Sequence, residues 1–187
     1  MSVLNKLFCI ILIFTIFGVN QVKSGCLPAH DFKLRDQSGD LVSLQNIVKS
    51  SKSNIILISV FQTTCAPCIN EIKYLLELKQ KNEKLGLANF DLVLIDSKEE
   101  RSQTFDFLRK NNFKIDTVLN DPNGKLDSLY KISSIPKLII VDNKGNLLNT
   151  KDGKELYSLR ESGELEKIIM KMAKLESCKY LGGDGIN

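Results

Sequence analysis

Two runs of the chain, 54–61 and 90–96, are almost continuously apolar and rich in β-branched residues. This composition is typical of strands that are buried on both faces of a sheet. Between the runs, apolar residues recur at helical spacing from 67 to about 85, and Gly86 follows as a natural helix end. The pattern predicts a buried strand, a long helix and a second buried strand.

The same alternation continues on both sides of this unit. Ahead of it, two short alternating pieces flank the turn signal 37–40 and predict a hairpin within 28–48. Behind it, the pattern predicts helices at 102–111, 125–132 and 163–175, a strand at 117–120, and a hairpin of strands 137–142 and 146–150. Strands that alternate with helices indicate the α/β class, with a central mixed β-sheet, a parallel βαβ core and helices on both faces.

The first 24 residues have the features of a signal peptide. Residues 7–19 form an apolar run of 13 residues behind Lys6, too short for a comfortable transmembrane helix but suited to the hydrophobic region of a signal peptide. Val22 and Ser24 are small enough for a signal-peptidase site. The sequence therefore predicts cleavage after residue 24 and a single mature domain over 26–187.

Two other interpretations of this terminus stay open. Residues 23–26 read KSGC, a degenerate lipobox that would end the signal at residue 25 and lipidate Cys26, although Lys23 fits the lipobox poorly. An uncleaved segment would act as a signal anchor. Each interpretation places the domain outside the cytoplasm, as a periplasmic, secreted or membrane-anchored protein, in a compartment where disulfides persist.

Composition and charge limit the classes of function that this protein can have. The 187-residue chain has an ordinary apolar content of 43% and a net charge of +4 that is spread along its length. We find no dense Lys/Arg stripe interleaved with aromatic residues, which is the footprint of a nucleic-acid-binding surface. We expect one folded domain with no nucleic-acid partner.

The chain contains five cysteines, and their positions suggest different roles. Cys9 lies in the predicted signal peptide, and Cys65 and Cys68 form a CxxC motif. Cys26 and Cys178 lie near opposite ends of the mature domain, and chain termini are often close in space. They are candidates for a structural disulfide, but lipidation of Cys26 would leave Cys178 as a free thiol.

The CxxC motif lies where the first buried strand meets the long helix. Pro67 suits the first helical turn, which places Cys65 at the helix N-terminus, where unpaired N–H groups and the helix dipole favour a thiolate. Cys68 follows one helical turn later on the same face, so one thiol can attack a disulfide and the other can resolve the mixed intermediate. Half of a zinc site would need a second ligand pair, and the remaining His and Cys residues show no paired spacing.

Three motifs in a fixed order resemble the thioredoxin fold, and more closely its extracytoplasmic ResA/TlpA-type thiol-disulfide oxidoreductases. The segment 31–46 (DFKLRDQSGDLVSLQN) resembles the N-terminal hairpin extension of that family, 65–71 (CAPCINE) resembles its active-site motif, and 130–147 resembles the region around its cis-proline. The resemblance covers about 31–173, nearly all of the mature domain.

The resemblance assigns roles to matching residues. It implies that Cys65 is the exposed nucleophile, Cys68 the resolving thiol, and Pro136 a cis-proline packed against their disulfide. The backbone of Ile135 would pair with a bound substrate, and Glu71 would handle protons as a thiol is exposed or attacked, although a solvated helix carboxylate is the alternative for Glu71. No cofactor beyond the redox-active disulfide is implied.

The sequence also departs from the family pattern. Thr64 stands where the family usually has Trp, and Ser59 stands where thioredoxin has a buried Asp, so that proton acceptor is absent. Lys137 follows the proline in place of the usual Thr; we hypothesise that its cation stabilises the Cys65 thiolate and raises the reduction potential, the alternative being a side chain in solvent. The predicted substrate-binding residues are Thr64, Ala66, Pro67, Ile135 and Lys137.

These features predict an extracytoplasmic thiol-disulfide oxidoreductase. The resemblance alone implies that it reduces protein disulfides, in cytochrome c maturation or in general thiol maintenance, with a membrane thiol-relay protein as electron donor. The same residues also suit a thiol oxidant or isomerase, because direction depends on the potentials of the partners. A metal-binding or metal-delivery module that uses the CxxC thiolates is the alternative from another class.

Overall fold

The computed structural model describes residues 26–87 and 89–174, and its centre is a seven-stranded mixed sheet. The strands are β1 (Lys33–Arg35), β2 (Leu41–Ser43), β3 (Ile55–Phe61), β4 (Phe90–Ser97), β5 (Thr117–Asp121), β6 (Lys137–Asp142) and β7 (Leu147–Asp152). Their order across the sheet is β2-β1-β5-β4-β3-β6-β7. Strands β3, β4 and β5 run parallel, whereas β6, β7, β1 and β2 pair antiparallel to their neighbours. The predicted mixed sheet with a parallel core is confirmed.

Six helices connect and cover these strands in the described part of the chain. They are α1 (Leu44–Ser50), α2 (Ala66–Leu85), α3 (Arg101–Lys110), α4 (Lys125–Leu129), α5 (Gly153–Glu161) and α6 (Glu164–Ala173). The predicted bounds of α2 and α3 are correct to within one residue. Helix α2 ends as expected at Gly86, whose left-handed backbone closes the last turn.

The structure corrects three details of the predicted secondary structure. The predicted N-terminal hairpin is confirmed as the antiparallel pair β1 and β2, but its second strand is short. It stops at Ser43, which caps α1 by accepting a hydrogen bond from the Asn46 N–H. Helix α5 was missed because Leu156 is its only buried residue, so its apolar period is weak. The helix predicted over 125–132 is also shorter, since it ends at Leu129.

The sheet separates two apolar cores, which confirms helices on both faces. Alternate residues of β3 point to opposite sides, so Ile55 and Leu57 pack with α2 while Ile56 and Ile58 pack with α1 and α4. Helices α3, α5 and α6 complete the layer on the α2 side. The central strands are buried on both faces, and their carboxyl ends lie together at the edge of the sheet where α2 begins.

The predicted signal peptide over 1–24, its lipoprotein and anchor alternatives, and Cys178 lie outside the described residues. These predictions, the domain bounds 26–187 and the Cys26–Cys178 pairing therefore stay predictions. Among the described residues, no helix is long and apolar enough to cross a membrane.

Candidate active site

The two cysteines of the CxxC motif form a disulfide where β3 passes into α2. The sulfur atoms of Cys65 and Cys68 are 2.06 Å apart. Cys65 is the N-cap residue of α2, and its sulfur accepts a hydrogen bond of 3.3 Å from the Cys68 N–H. Cys65 is partly exposed whereas Cys68 is fully buried, so only one sulfur of the pair is open to another molecule. The N–H groups of the first helical turn favour a thiolate at Cys65.

Exposed residues surround the accessible sulfur. Thr64 precedes Cys65, and Ala66 and Pro67 follow it in the first turn of α2; all three are exposed. Pro67 has no N–H to leave unpaired at this position. Because these side chains are small and uncharged, a second protein can approach the disulfide closely.

A cis peptide bond joins Ile135 and Pro136, as the resemblance implied. Val60 near the end of β3 lies opposite Lys137 at the start of β6, so the proline loop before β6 and the disulfide loop after β3 lie at the same end of the sheet. The Pro136 carbonyl accepts a hydrogen bond of 3.0 Å from the Gly153 N–H. Among the loop and turn hydrogen bonds of the described residues, none uses the N–H or C=O of Ile135.

Glu71 is buried, with 1% of its surface exposed, so the alternative of a solvated helix carboxylate is wrong. It lies one helical turn beyond Cys68 on the buried face of α2. Burial raises the pKa of Glu71 to about 8, although a hydrogen bond of 3.4 Å from the Ser59 hydroxyl acts in the opposite direction. Glu71 therefore holds a proton at neutral pH.

Ser59 contributes to this arrangement in a way that the sequence comparison missed. The position lacks the Asp of thioredoxin, but its hydroxyl points from β3 to the Glu71 carboxyl of α2. A buried acid is thus present behind the CxxC motif after all. It comes from the helix rather than from the strand.

Lys137 is buried, with 6% of its surface exposed, which contradicts the alternative of a side chain in solvent. Its ammonium nitrogen lies 3.1 Å from Oδ2 of Asp152, the residue opposite it in the β6–β7 ladder. The Asp152 carboxylate balances the charge of Lys137 and so weakens its field at other atoms. The hypothesis that this cation stabilises the Cys65 thiolate stays a prediction.

The Lys137→Thr variant tests that hypothesis. If the ammonium acts on Cys65, the pKa of the Cys65 thiol rises in the variant and alkylation at neutral pH slows, because less of the thiol is ionised. Measuring the alkylation rate of the reduced protein against pH gives this pKa. An unchanged profile would show that Lys137 acts only as the partner of Asp152.

Glu99 joins the site from outside the recognised motifs. Its carboxylate accepts two hydrogen bonds from Thr63, one from the N–H at 2.7 Å and one from the hydroxyl at 2.9 Å. Thr63 lies two residues before Cys65. The only sequence signal for this contact is a cluster of acidic residues after β4, which by itself more often indicates a solvated turn.

A cavity of about 200 Å³ opens beside the proline loop. Gln62, Ser97, Lys98 and Ile135 line it, with Lys98 paired to Asp127 at its wall. The cavity has polar walls, and the backbone of Ile135, which makes no loop hydrogen bond with any other described residue, lies next to it. Within the described ranges, no group of three His, Cys, Asp or Glu side chains is arranged to hold a metal ion.

Comparison with known proteins agrees with this geometry. The model of a family described as thioredoxin-like matches residues 53–147. The chain is 23% identical over 140 residues to a Bacillus cereus protein named thiol-disulfide oxidoreductase ResA, which covers 75% of this chain and 76% of that protein. It is 27% identical over 123 residues to a protein of Arabidopsis thaliana named probable nucleoredoxin 1, covering 65% of this chain but only 20% of the plant protein.

A solved structure shows the same fold. The solution structure of a thiol:disulfide interchange protein from Bacteroides sp. superposes with a TM-score of 0.56 at 20% identity, over 74% of this chain and 89% of that one. The matched family segment contains β3, the CxxC motif, α2 and the cis-proline loop. The chain therefore belongs to the thioredoxin-like family and is a thiol-disulfide oxidoreductase.

Proposed function

We propose that the protein reduces disulfides of other proteins outside the cytoplasm, with Cys65 as nucleophile and Cys68 as resolving thiol. The observation that carries this proposal is the disulfide at the start of α2, with one exposed and one buried sulfur beside a cis-proline loop. The redox-active disulfide itself carries the electrons, so no further cofactor is invoked.

The reaction begins with the reduced dithiol. The Cys65 thiolate attacks one sulfur of a substrate disulfide, which forms a mixed disulfide and releases the first substrate thiolate. Cys68 loses its proton and attacks the Cys65 sulfur, which breaks the mixed disulfide and releases the second substrate thiolate. Two electrons pass to the substrate, the Cys65–Cys68 disulfide forms, and the two substrate thiolates take up protons.

Glu71 is the proposed proton acceptor for Cys68 in those molecules in which its carboxyl is ionised, a fraction that grows as the pH rises towards 8. Both side chains are buried on the same face of α2, where water is excluded. A carboxyl with a pKa of about 8 is closely matched to a thiol, so proton transfer between them is nearly balanced in energy. An ordinary surface carboxylate would be too weak a base for this step.

The proline loop is the proposed docking site for the substrate. An extended peptide can pair with the free N–H and C=O of Ile135, which presents its disulfide to Cys65. On the other side of the Cys65 sulfur, the substrate would contact Thr64, Ala66 and Pro67. Pro136 would lie between these residues and the backbone of Ile135. Such pairing uses main-chain atoms and therefore accepts many protein sequences.

The proposed direction of electron flow and the proposed location come from the sequence and its resemblance to a family. The resemblance to ResA/TlpA-type proteins favours a reductant for cytochrome c maturation or general thiol maintenance, which a membrane thiol-relay protein would recharge. The signal-like N-terminus supports export, with a membrane anchor through Cys26 or an uncleaved signal as further options. A thiol oxidant or isomerase, or a metal-delivery module, is the alternative.

The midpoint potential of the Cys65/Cys68 couple tests the direction. The domain over 26–187, with Cys26 and Cys178 changed to Ser, is equilibrated in graded thiol buffers and its free thiols are counted. We expect a value at or below about −250 mV, in the range of thioredoxin-like reductants. A value at or above roughly −150 mV would assign the protein to the oxidants instead.

Metal titration of the reduced domain distinguishes a metal-delivery module from an oxidoreductase. A delivery module that uses the thiolates would bind Cu(I) or Zn²⁺ tightly and stoichiometrically. We expect no more than weak binding, because two sulfurs, one of them buried, supply too few ligands for a closed site.

A further inference from the structure

The sheet brings the carboxyl end of β4 next to the loop that carries the nucleophile. Asp96 lies opposite Phe61, the last residue of β3, in the parallel β3–β4 ladder. The chain then continues from Phe61 to Thr63 on one strand and from Asp96 to Glu99 on the other. The two hydrogen bonds from Thr63 to the Glu99 carboxylate tie these continuations together.

A second buried carboxyl lies behind this contact. Asp96 is fully buried, and its Oδ2 accepts a hydrogen bond from the Thr104 hydroxyl of α3. The Asn120 side chain of β5 donates in turn to the Thr104 hydroxyl and to the Glu99 carbonyl. Among the described residues, no hydrogen-bond donor contacts Oδ1 of Asp96. If Asp96 were ionised, this buried oxygen would be left without a hydrogen bond.

The Glu99 side chain lies close enough to Asp96 to raise the pKa of the Asp96 carboxyl. Two neighbouring carboxyl groups can share a hydrogen bond only when one of them carries a proton, since two carboxylates both accept and repel each other. Burial, aided by the neighbouring Glu99 carboxylate, raises the pKa of Asp96. A protonated Asp96 can donate to the Glu99 carboxyl group, whose two oxygens accept the bonds from Thr63.

We propose that Glu99, with the buried Asp96 behind it, is a positioning residue that holds the loop before Cys65 in its reactive geometry. This inference rests on the proposed function of Cys65 as nucleophile. Glu99 acts through Thr63 and the loop, not on the sulfur. The same loop is closed by the hydrogen bond of 3.1 Å from the Cys65 N–H to the Gln62 carbonyl, so fixing Thr63 also fixes the start of α2.

The Glu99→Ala variant removes the clamp. We expect Cys65 in the reduced protein to react with an alkylating reagent about tenfold more slowly at neutral pH, because the sulfur no longer keeps its alignment with the N–H groups of the helix. The rate of protein-disulfide exchange falls by a similar factor. Thr63→Val removes one of the two bonds and leaves both acids in place, so it tests the clamp with a smaller loss even if Glu99→Ala does not fold.

Two Asp96 variants distinguish two roles of this residue: donating a hydrogen bond to Glu99, and simply placing an acid in the core. In Asp96→Asn the amide N–H replaces the proton as the donor to Glu99, and the amide oxygen still accepts from Thr104. We expect wild-type alkylation rates for Asp96→Asn and a loss like that of Glu99→Ala for Asp96→Ala. Equal losses in both Asp96 variants would overturn the proposal.

Asp106→Ala is the matched control, since it removes an exposed carboxylate of α3 whose partner is the exposed Arg109. We expect it to keep the wild-type alkylation rate, and a loss equal to that of Glu99→Ala would show a nonspecific effect and overturn the clamp. A wild-type rate in both Glu99→Ala and Thr63→Val would also overturn it. If the wild-type protein has no exchange activity, the proposed function fails, but the alkylation rates still decide on the clamp.

Discussion

Replacing Cys65 with serine will lower the rate of protein-disulfide exchange by a factor on the order of a thousand or more, because the hydroxyl is not ionised at neutral pH and cannot replace the thiolate nucleophile. The buried sulfur of Cys68 cannot take over, since a substrate disulfide cannot reach it. The measurement is reduction of a model protein disulfide by the reduced domain, followed by counting new substrate thiols.

Cys68→Ser provides the matched comparison for this prediction. Cys65 can still attack, but nothing resolves the intermediate, so a mixed disulfide with the substrate should accumulate and be visible by mass spectrometry. Cys26→Ser, which lies outside the motif, should keep the exchange rate. Accumulation of the mixed disulfide in Cys65→Ser instead would reverse the assigned roles of the two thiols.

Replacing Glu71 with glutamine will make the protein more stable at neutral pH. The folded state holds a proton on Glu71 up to about pH 8, whereas the unfolded chain releases it above 4.5. Between these values the unfolded state binds fewer protons, so the free energy of unfolding of the wild type falls as pH rises. Glutamine cannot ionise, and we expect a gain of about 2–3 kcal/mol at pH 7 and almost none near pH 4.

Denaturant unfolding of the oxidised domain at several pH values measures this difference. Glu77→Gln is the matched control, because Glu77 is an exposed carboxylate on the same helix and should show no such trend. A constant difference between Glu71→Gln and wild type across pH 4 to 8 would contradict the buried proton. Exchange activity of Glu71→Gln should fall, because its amide cannot accept the Cys68 proton.

This pairing of higher stability with lower activity is the expected mark of a functional buried acid. A carboxyl group that is buried in an apolar face lowers the free energy of unfolding at every pH at which the same group is ionised in the unfolded chain. Glutamine keeps the hydrogen bond to Ser59 and the shape of the side chain, so the comparison isolates the proton. A purely structural Glu71 would lose no activity in this variant.

Local patterns were enough to predict the fold class and the centre of the site. The apolar runs predicted β3 and β4, and the helical spacing with Gly86 at its end predicted α2. Cys65 was placed at a helix N-terminus because Pro67 and the period of the following residues are short-range signals. The resemblance then supplied the cis bond at Pro136, which composition and spacing do not predict.

The partners of the polar residues were decided only by the tertiary structure. Ser59 reaches Glu71 across 12 positions in sequence, Lys137 reaches Asp152 across 15, and Thr63 reaches Glu99 across 36. Which strands are neighbours, and in which register, determines each of these contacts. Sequence by itself therefore determined the CxxC motif and the elements that carry it. Burial and strand pairing decided which polar side chains meet around it, because both depend on chain segments that meet only in the folded protein.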